Sequence, residues 1–125
     1  MLDELVERLA AAGYPEVRAS HSQVFENIDR DGTRLTELAD RAQLTHPSMS
    51  ELVSSLERLG YLERVVDPAD GRARLVRLTT TGRALQRRAL DELTDIEAGW
   101  LRRWASTLGP ELAGALTHVV RTPLR

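Results

Sequence analysis

The feature that leaves this chain the fewest folding options is a change of period between residues 34 and 82. Apolar residues recur at helical spacing in "RLTELADRA", where Leu35, Leu38, Ala39 and Ala42 share a face. They do so again in "HPSMSELVSSLERLG", through Met49, Leu52, Val53, Leu56 and Leu59. Only "QLT" separates the two, which predicts two short helices joined by a tight turn. Thr45 is a good N-cap, Pro47 is tolerated in a first turn, and Gly60 is a good stop. Helical spacing then gives way to two short β-like runs, "YLERVV" and "RARLVRL", around "DPADG". In that turn Pro68 fixes φ and Gly71 permits φ > 0.

Before this segment, Leu2, Leu5, Val6 and Leu9 stripe a short first helix that ends at Gly13. Pro15 can open a second helix with His21, Val24, Phe25 and Ile28 inside, and "DRDG" is a turn. After it, Thr79 or Thr80 caps a long helix striped by Leu85, Ala89, Leu93, Ile96, Trp100 and Trp104. A last helix after "GP" carries Leu112, Leu116 and Val119. The expected fold is mainly α with a small β-hairpin: a winged helix-turn-helix domain plus terminal helices.

At 125 residues the chain is one domain. It has no cysteine, which excludes disulfides, thiolate metal sites and thiol redox sensing. His21, His46 and His118 stand far apart, so neither a metal nor another cofactor is expected. The first helix has acids where a signal peptide needs bases, and no stretch approaches a membrane span. A cytoplasmic location with no membrane partner is expected. No glycine-rich phosphate loop or nucleophile elbow is present, so the chain is not read as an enzyme.

The formal charge of −2 hides a local concentration of arginine. Arg64, Arg72, Arg74 and Arg77 surround the hairpin turn, with Asp67 and Asp70 as the only acids between Arg64 and Arg88. Local surface is what a polyanion meets. All 17 basic residues are Arg, which suits phosphate recognition, although a GC-rich genome is the plainer explanation. On the second short helix the outward positions are His46, Ser48, Ser50, Glu51, Ser54 and Ser55. Such a small polar face can approach base edges, or it can simply be solvated. At a hairpin tip, Arg72 can enter a minor groove, with Asp70 placed to orient its guanidinium.

The segment "RLTELADRAQLTHPSMSELVSSLERLGYLERVVDPADGRARLVRLTTTGRAL" resembles the MarR family of bacterial transcriptional regulators, notably in "LERLGYLER", "DPADGR" and "LTTTG". The resemblance implies a homodimer that binds a pseudo-palindromic operator in double-stranded DNA and usually represses. It divides the single chain 1–125 into a winged helix-turn-helix lobe at 14–82 and dimerisation helices at 1–12 and 83–125. DNA reading then falls on Thr45, His46, Pro47, Ser48, Ser50, Glu51 and Ser54. Wing and backbone contacts fall on Arg34, Arg64, Asp70, Arg72 and Arg74. Many relatives release DNA when a small aromatic or anionic ligand enters a cleft. His21, Phe25 and Trp100 are candidates to line one here, against the alternative that His21 is a buried, hydrogen-bonded core residue. Trp100 and Trp104 serve either core or interface. Three residues depart from expectation. Glu51 puts an acid on the reading helix, Gln43 replaces a turn glycine, and Gly99 interrupts the long helix, where it permits a close crossing. The competing function is a winged helix used for protein interaction or dimerisation without DNA.

Overall fold

The computed structural model describes residues 1–108. The last helix expected from sequence, with Leu112, Leu116 and Val119, lies outside the described residues, as does His118. Helix α1 spans Leu2–Ala11, a 3-10 turn Ala19–His21 leads into the single-turn α2 (Ser22–Phe25), and α3 spans Leu35–Ala42. Then come α4 (His46–Arg58), β1 (Leu62–Asp67), β2 (Asp70–Leu78) and α5 (Thr80–Leu108). No described helix is long and apolar enough to cross a membrane.

The second helix is shorter than its apolar spacing predicts. The backbone turns as a 3-10 helix at Ala19–His21, because the His21 ring accepts the Arg18 N–H at 3.0 Å and starts the turn late.

Three helices end the same way. After α1, α3 and α4 the chain folds back with a six-to-one and a five-to-two hydrogen bond, as in Tyr61 N–H to Leu56 O and Gly60 N–H to Glu57 O. That reversal needs a left-handed residue. Gly13 (φ 104°) and Gly60 (φ 85°) supply it without a Cβ penalty, and Gln43 supplies it at φ 55°. The turn between α3 and α4 thus keeps its shape at the expense of strain, about 1 kcal/mol or more for a non-glycine residue there.

The buried faces of α3 and α4 (Leu38, Ala39, Met49, Val53, Leu56) meet Leu5, Leu9, Val24, Tyr61, Leu85 and Ile96 in one core. α1 packs along α5, where Arg8 bridges to Glu92 at 3.3 Å and to Asp95.

The hairpin is tighter than expected: only Pro68 and Ala69 form the turn, and both strands run to Asp67 and Asp70. Two carboxylates stand in for turn glycines, since Asp67 accepts the Ala69 N–H at 2.9 Å and Asp70 accepts the Arg72 N–H at 3.0 Å. Gly71 does not use the left-handed region. A third partner was not foreseen. Thr33, just before α3, exchanges two backbone hydrogen bonds with Val76 (2.8 and 2.9 Å) and so adds a one-residue strand to the hairpin.

The tightest backbone approach is at Gly82, not Gly99. Thr79 caps α5 by accepting the Gly82 N–H at 3.0 Å, and its hydroxyl donates to Gly60 O at 2.6 Å. This draws α5 under the end of α4, where a Cβ on Gly82 would lie 2.0 Å from the Tyr61 carbonyl oxygen. A Cβ on Gly99 would meet only Arg102, at 3.7 Å. Gly82→Ala is therefore expected to lower unfolding stability by about 2–3 kcal/mol. Urea denaturation checks this, and an unchanged midpoint would show that the joint can open freely.

Candidate nucleic-acid interface

Two elements project from the same lobe with polar surface. α4 presents its N-terminus, and the hairpin presents a basic ribbon. Thr45 caps α4, its oxygen accepting the Ser48 N–H at 3.2 Å while its hydroxyl donates to Ser48 Oγ at 2.8 Å. The first turn is thereby fixed without a bulky side chain. Thr45, His46, Pro47, Ser48 and Glu51 are exposed, and Ser50 and Ser54 are half-buried on the flank. Glu51 has no ion-pair partner among the described residues. Ser55, outward by sequence spacing, is turned inward: its Oγ accepts from His21 Nε2 at 3.1 Å and from the Arg18 guanidinium at 3.4 Å.

On the hairpin the arginines divide into two groups. Arg34 is held by Asp67 through Nη2 at 2.8 Å and Nε at 3.1 Å, with Asp70 at 3.9 Å. Arg64 gives its Nε to Glu57 at 2.9 Å, and Arg77 gives its Nε to Glu63 at 2.6 Å. Arg72 and Arg74 are exposed and have no carboxylate partner among the described residues. Asp70 does not orient the Arg72 guanidinium, as the sequence suggested. It holds that residue's backbone N–H instead.

Asp67 is the organising acid. The Arg34 guanidinium first, and the Ala69 N–H second, hold its carboxyl below the usual carboxylate range. It ties the entry of α3 to the hairpin turn, and so sets where α4 sits relative to Arg72 and Arg74. Sequence reasoning treated Asp67 only as a neighbour of the turn. Its position before Pro68, where a side-chain cap is common, was the available signal. No signal marked Thr33 as a strand residue.

The three residues proposed for an effector cleft are not gathered together. A cavity of about 310 Å³ lies between α1, α2 and α5. Phe25, Leu5, Leu9 and Leu85 line it, and Arg18 and Glu26 are its charged lining residues. His21 is fully buried outside the lining, and Trp100 lies farther along α5 with 41% of its surface exposed.

Residues 16–73 match the model of the MarR family. Among curated proteins no sequence match was found. Solved structures share the fold. A point mutant of MepR from S. aureus aligns with TM-score 0.72 and 21% identity over 94% of this chain and 83% of its own. Another MepR mutant, bound to oligodeoxyribonucleotide, gives 0.67 and 23% over 95% and 81%. CouR from Rhodococcus jostii, bound to p-coumaroyl-CoA, gives 0.67 and 21% over 99% and 86%. At these identities the likeness establishes the fold.

If Arg34 organises the wing through Asp67, Arg34→Ala should move the Asp67 titration up toward the ordinary carboxylate range. Carboxyl NMR reads this directly, and an unmoved titration would show that the pair does not form in solution.

Proposed function

We propose, for a chain that belongs to the MarR family through residues 16–73, that it is a dimeric transcriptional regulator binding a pseudo-palindromic operator, most simply as a repressor. The observation that carries this reading is the division of the arginines. Carboxylates hold Arg34, Arg64 and Arg77, while Arg72 and Arg74 stand exposed and unpaired on the hairpin of the lobe that also presents the small polar face of α4. That is the charge distribution a duplex requires: a short helix narrow enough for a major groove, flanked by guanidinium groups that can reach phosphates or a minor groove. In this reading Thr45, His46, Pro47, Ser48, Ser50, Glu51 and Ser54 face the bases, with Glu51 accepting from a cytosine amino group. Arg72 and Arg74 take the wing contacts. Arg34, Arg64 and Asp70 act behind them as the framework that fixes the wing.

A second copy is the natural cover for α5. It is anchored in the core through Leu85 and Ile96, but Leu90 between them is 57% exposed, and Trp100 and Trp104 beyond them remain 41% and 44% exposed. Ile96 itself belongs to the chain's own core, at 1% exposure. Charging Ile96 would therefore disturb the fold before any interface.

The apolar cavity, with Arg18 and Glu26 as its charged lining, supports an effector of matching chemistry, a small hydrophobic ligand with a polar group. A winged helix that has given up DNA for a protein partner is the competing reading, favoured by the exposed acid Glu51.

Fluorescence anisotropy on a duplex from upstream of the chain's own gene separates these readings. Wild type should bind tightly, with affinity falling steeply as salt rises. Arg72→Ala should weaken binding and lower the salt slope by about 2, one contact from each protomer. Affinity that is weak and flat in salt for every duplex would remove the regulator reading, and an unchanged Arg72→Ala would remove the wing from it. A small hydrophobic carboxylate added to the bound complex should lower the anisotropy if the cavity serves release.

The double variant Trp100→Glu with Trp104→Glu should run as a folded monomer in light scattering. A persistent dimer would place the interface elsewhere.

A further inference from the structure

Among the described residues, His21 is the one titratable side chain with no exposed surface, and the DNA-facing surface does not use it. Its ring is fully committed. Nδ1 accepts the Arg18 backbone N–H at 3.0 Å. A peptide N–H can only donate, so the ring proton sits on Nε2, which donates to Ser55 Oγ at 3.1 Å. Ser55 lies in the second half of α4, the helix proposed to read bases. Most of what holds α4 is non-directional packing of Met49, Val53 and Leu56. The His21–Ser55 bond is directional, and it constrains rotation of the helix about its own axis.

We propose that His21 is a positioning residue for α4: its neutral ring, acting through Ser55, holds the helix at the rotation that presents its polar face to DNA, and protonation of the ring releases that hold. The inference rests on the DNA-binding reading above. A proton added to the ring goes to Nδ1, which faces the Arg18 N–H, so two donors oppose each other across 3.0 Å. The new cation also lies beside a guanidinium, with Arg18 Nη2 3.4 Å from Nε2. Of the groups on α1, the 3-10 turn, α2 and α4, Arg18 is the charged one that acts on the ring among the described residues, and no carboxylate offsets it. Burial first, and Arg18 second, push the His21 pKa below its ordinary value. The clash at Nδ1 and the cost of a buried cation drive the charged ring out of its site, and in leaving it carries its Nε2–H away from Ser55.

The direction in pH follows. The DNA-competent form is the one with the depressed pKa, so competence is full above the ordinary histidine value and declines as pH falls below it. Affinity should therefore fall progressively as pH drops below the ordinary histidine value.

The test measures anisotropy on the upstream duplex between about pH 7.5 and pH 5.5 for wild type, His21→Gln and Ser55→Ala. Glutamine can donate to Ser55 and accept from Arg18 but does not titrate. All three proteins keep His46 and His118, so differences between them isolate His21. Wild type should lose affinity over this range that His21→Gln keeps, while the two bind alike at the upper pH. Ser55→Ala should bind weakly at both ends and show no additional acid loss. Matching pH profiles for wild type and His21→Gln would overturn the proposal. Amide NMR of the DNA-free protein provides an independent reading. Amides across α4 should titrate together with the His21 ring in wild type and not in His21→Gln. Absence of DNA binding by wild type at any pH overturns the regulator reading, whereas flat α4 amides overturn the positioning role whether or not DNA binds.

Discussion

A two-stranded hairpin is marginal on its own in water, and the usefulness of this wing depends on two backbone hydrogen bonds between Thr33 and Val76. They convert the hairpin into the edge of a small three-stranded sheet whose third strand is the residue leading into α3. The Arg34 guanidinium on Asp67 then fixes the turn end of the same ribbon. Helix pair and wing are therefore one rigid piece. Without those contacts, exposed arginines on a mobile ribbon would keep their charge but lose their address.

The same economy governs the charges. Arg8, Arg34, Arg41, Arg64, Arg77 and Arg88 all lie against carboxylates. Individually such exposed pairs add little stability. On the hairpin their effect is spatial: carboxylates hold Arg64 and Arg77 along the strands and leave Arg72 and Arg74 uncancelled nearer the turn. An overall excess of acid is thus compatible with a basic edge, because the acids stand where the arginines have structural duties. Arg41 shows such a duty, reaching from α3 to Asn27 O at 2.7 Å and Asp29 at 2.9 Å to close the loop before that helix.

What the sequence made legible was whatever is encoded locally. Thr45 as cap, Gly13 and Gly60 as stops, the break at Pro68, and the apolar faces of α3 and α4 follow from neighbours a few residues away. What it concealed depends on residues far apart in the chain. Thr33 and Val76 carry no mark of pairing, and nothing in the sequence joined Arg34, read there as a wing or backbone contact, to Asp67. Gly82 appeared only as the last letter of "LTTTG", with nothing nearby to show that a backbone carbonyl occupies the place of its side chain. Ser55 fell on the outer face by counting, but the buried ring of His21 claims it. Gln43 was the informative exception. Sequence posed the choice between strain and an altered turn, and the backbone at φ 55° takes the strain.

The joint at Gly82 also has a mechanical meaning. With bare backbone against the Tyr61 carbonyl and Thr79 bonded across it, nothing compressible separates the lobe from the root of α5. α5 runs for 29 residues, a stiff rod of about 43 Å. A tilt of about 5° at its root carries the far end through about 4 Å. In any assembly clasped along that far end, the rod acts as a lever arm, and the separation of two wings becomes a geared-up reading of a small angle. The absence of a single methyl group at Gly82 sets the fulcrum.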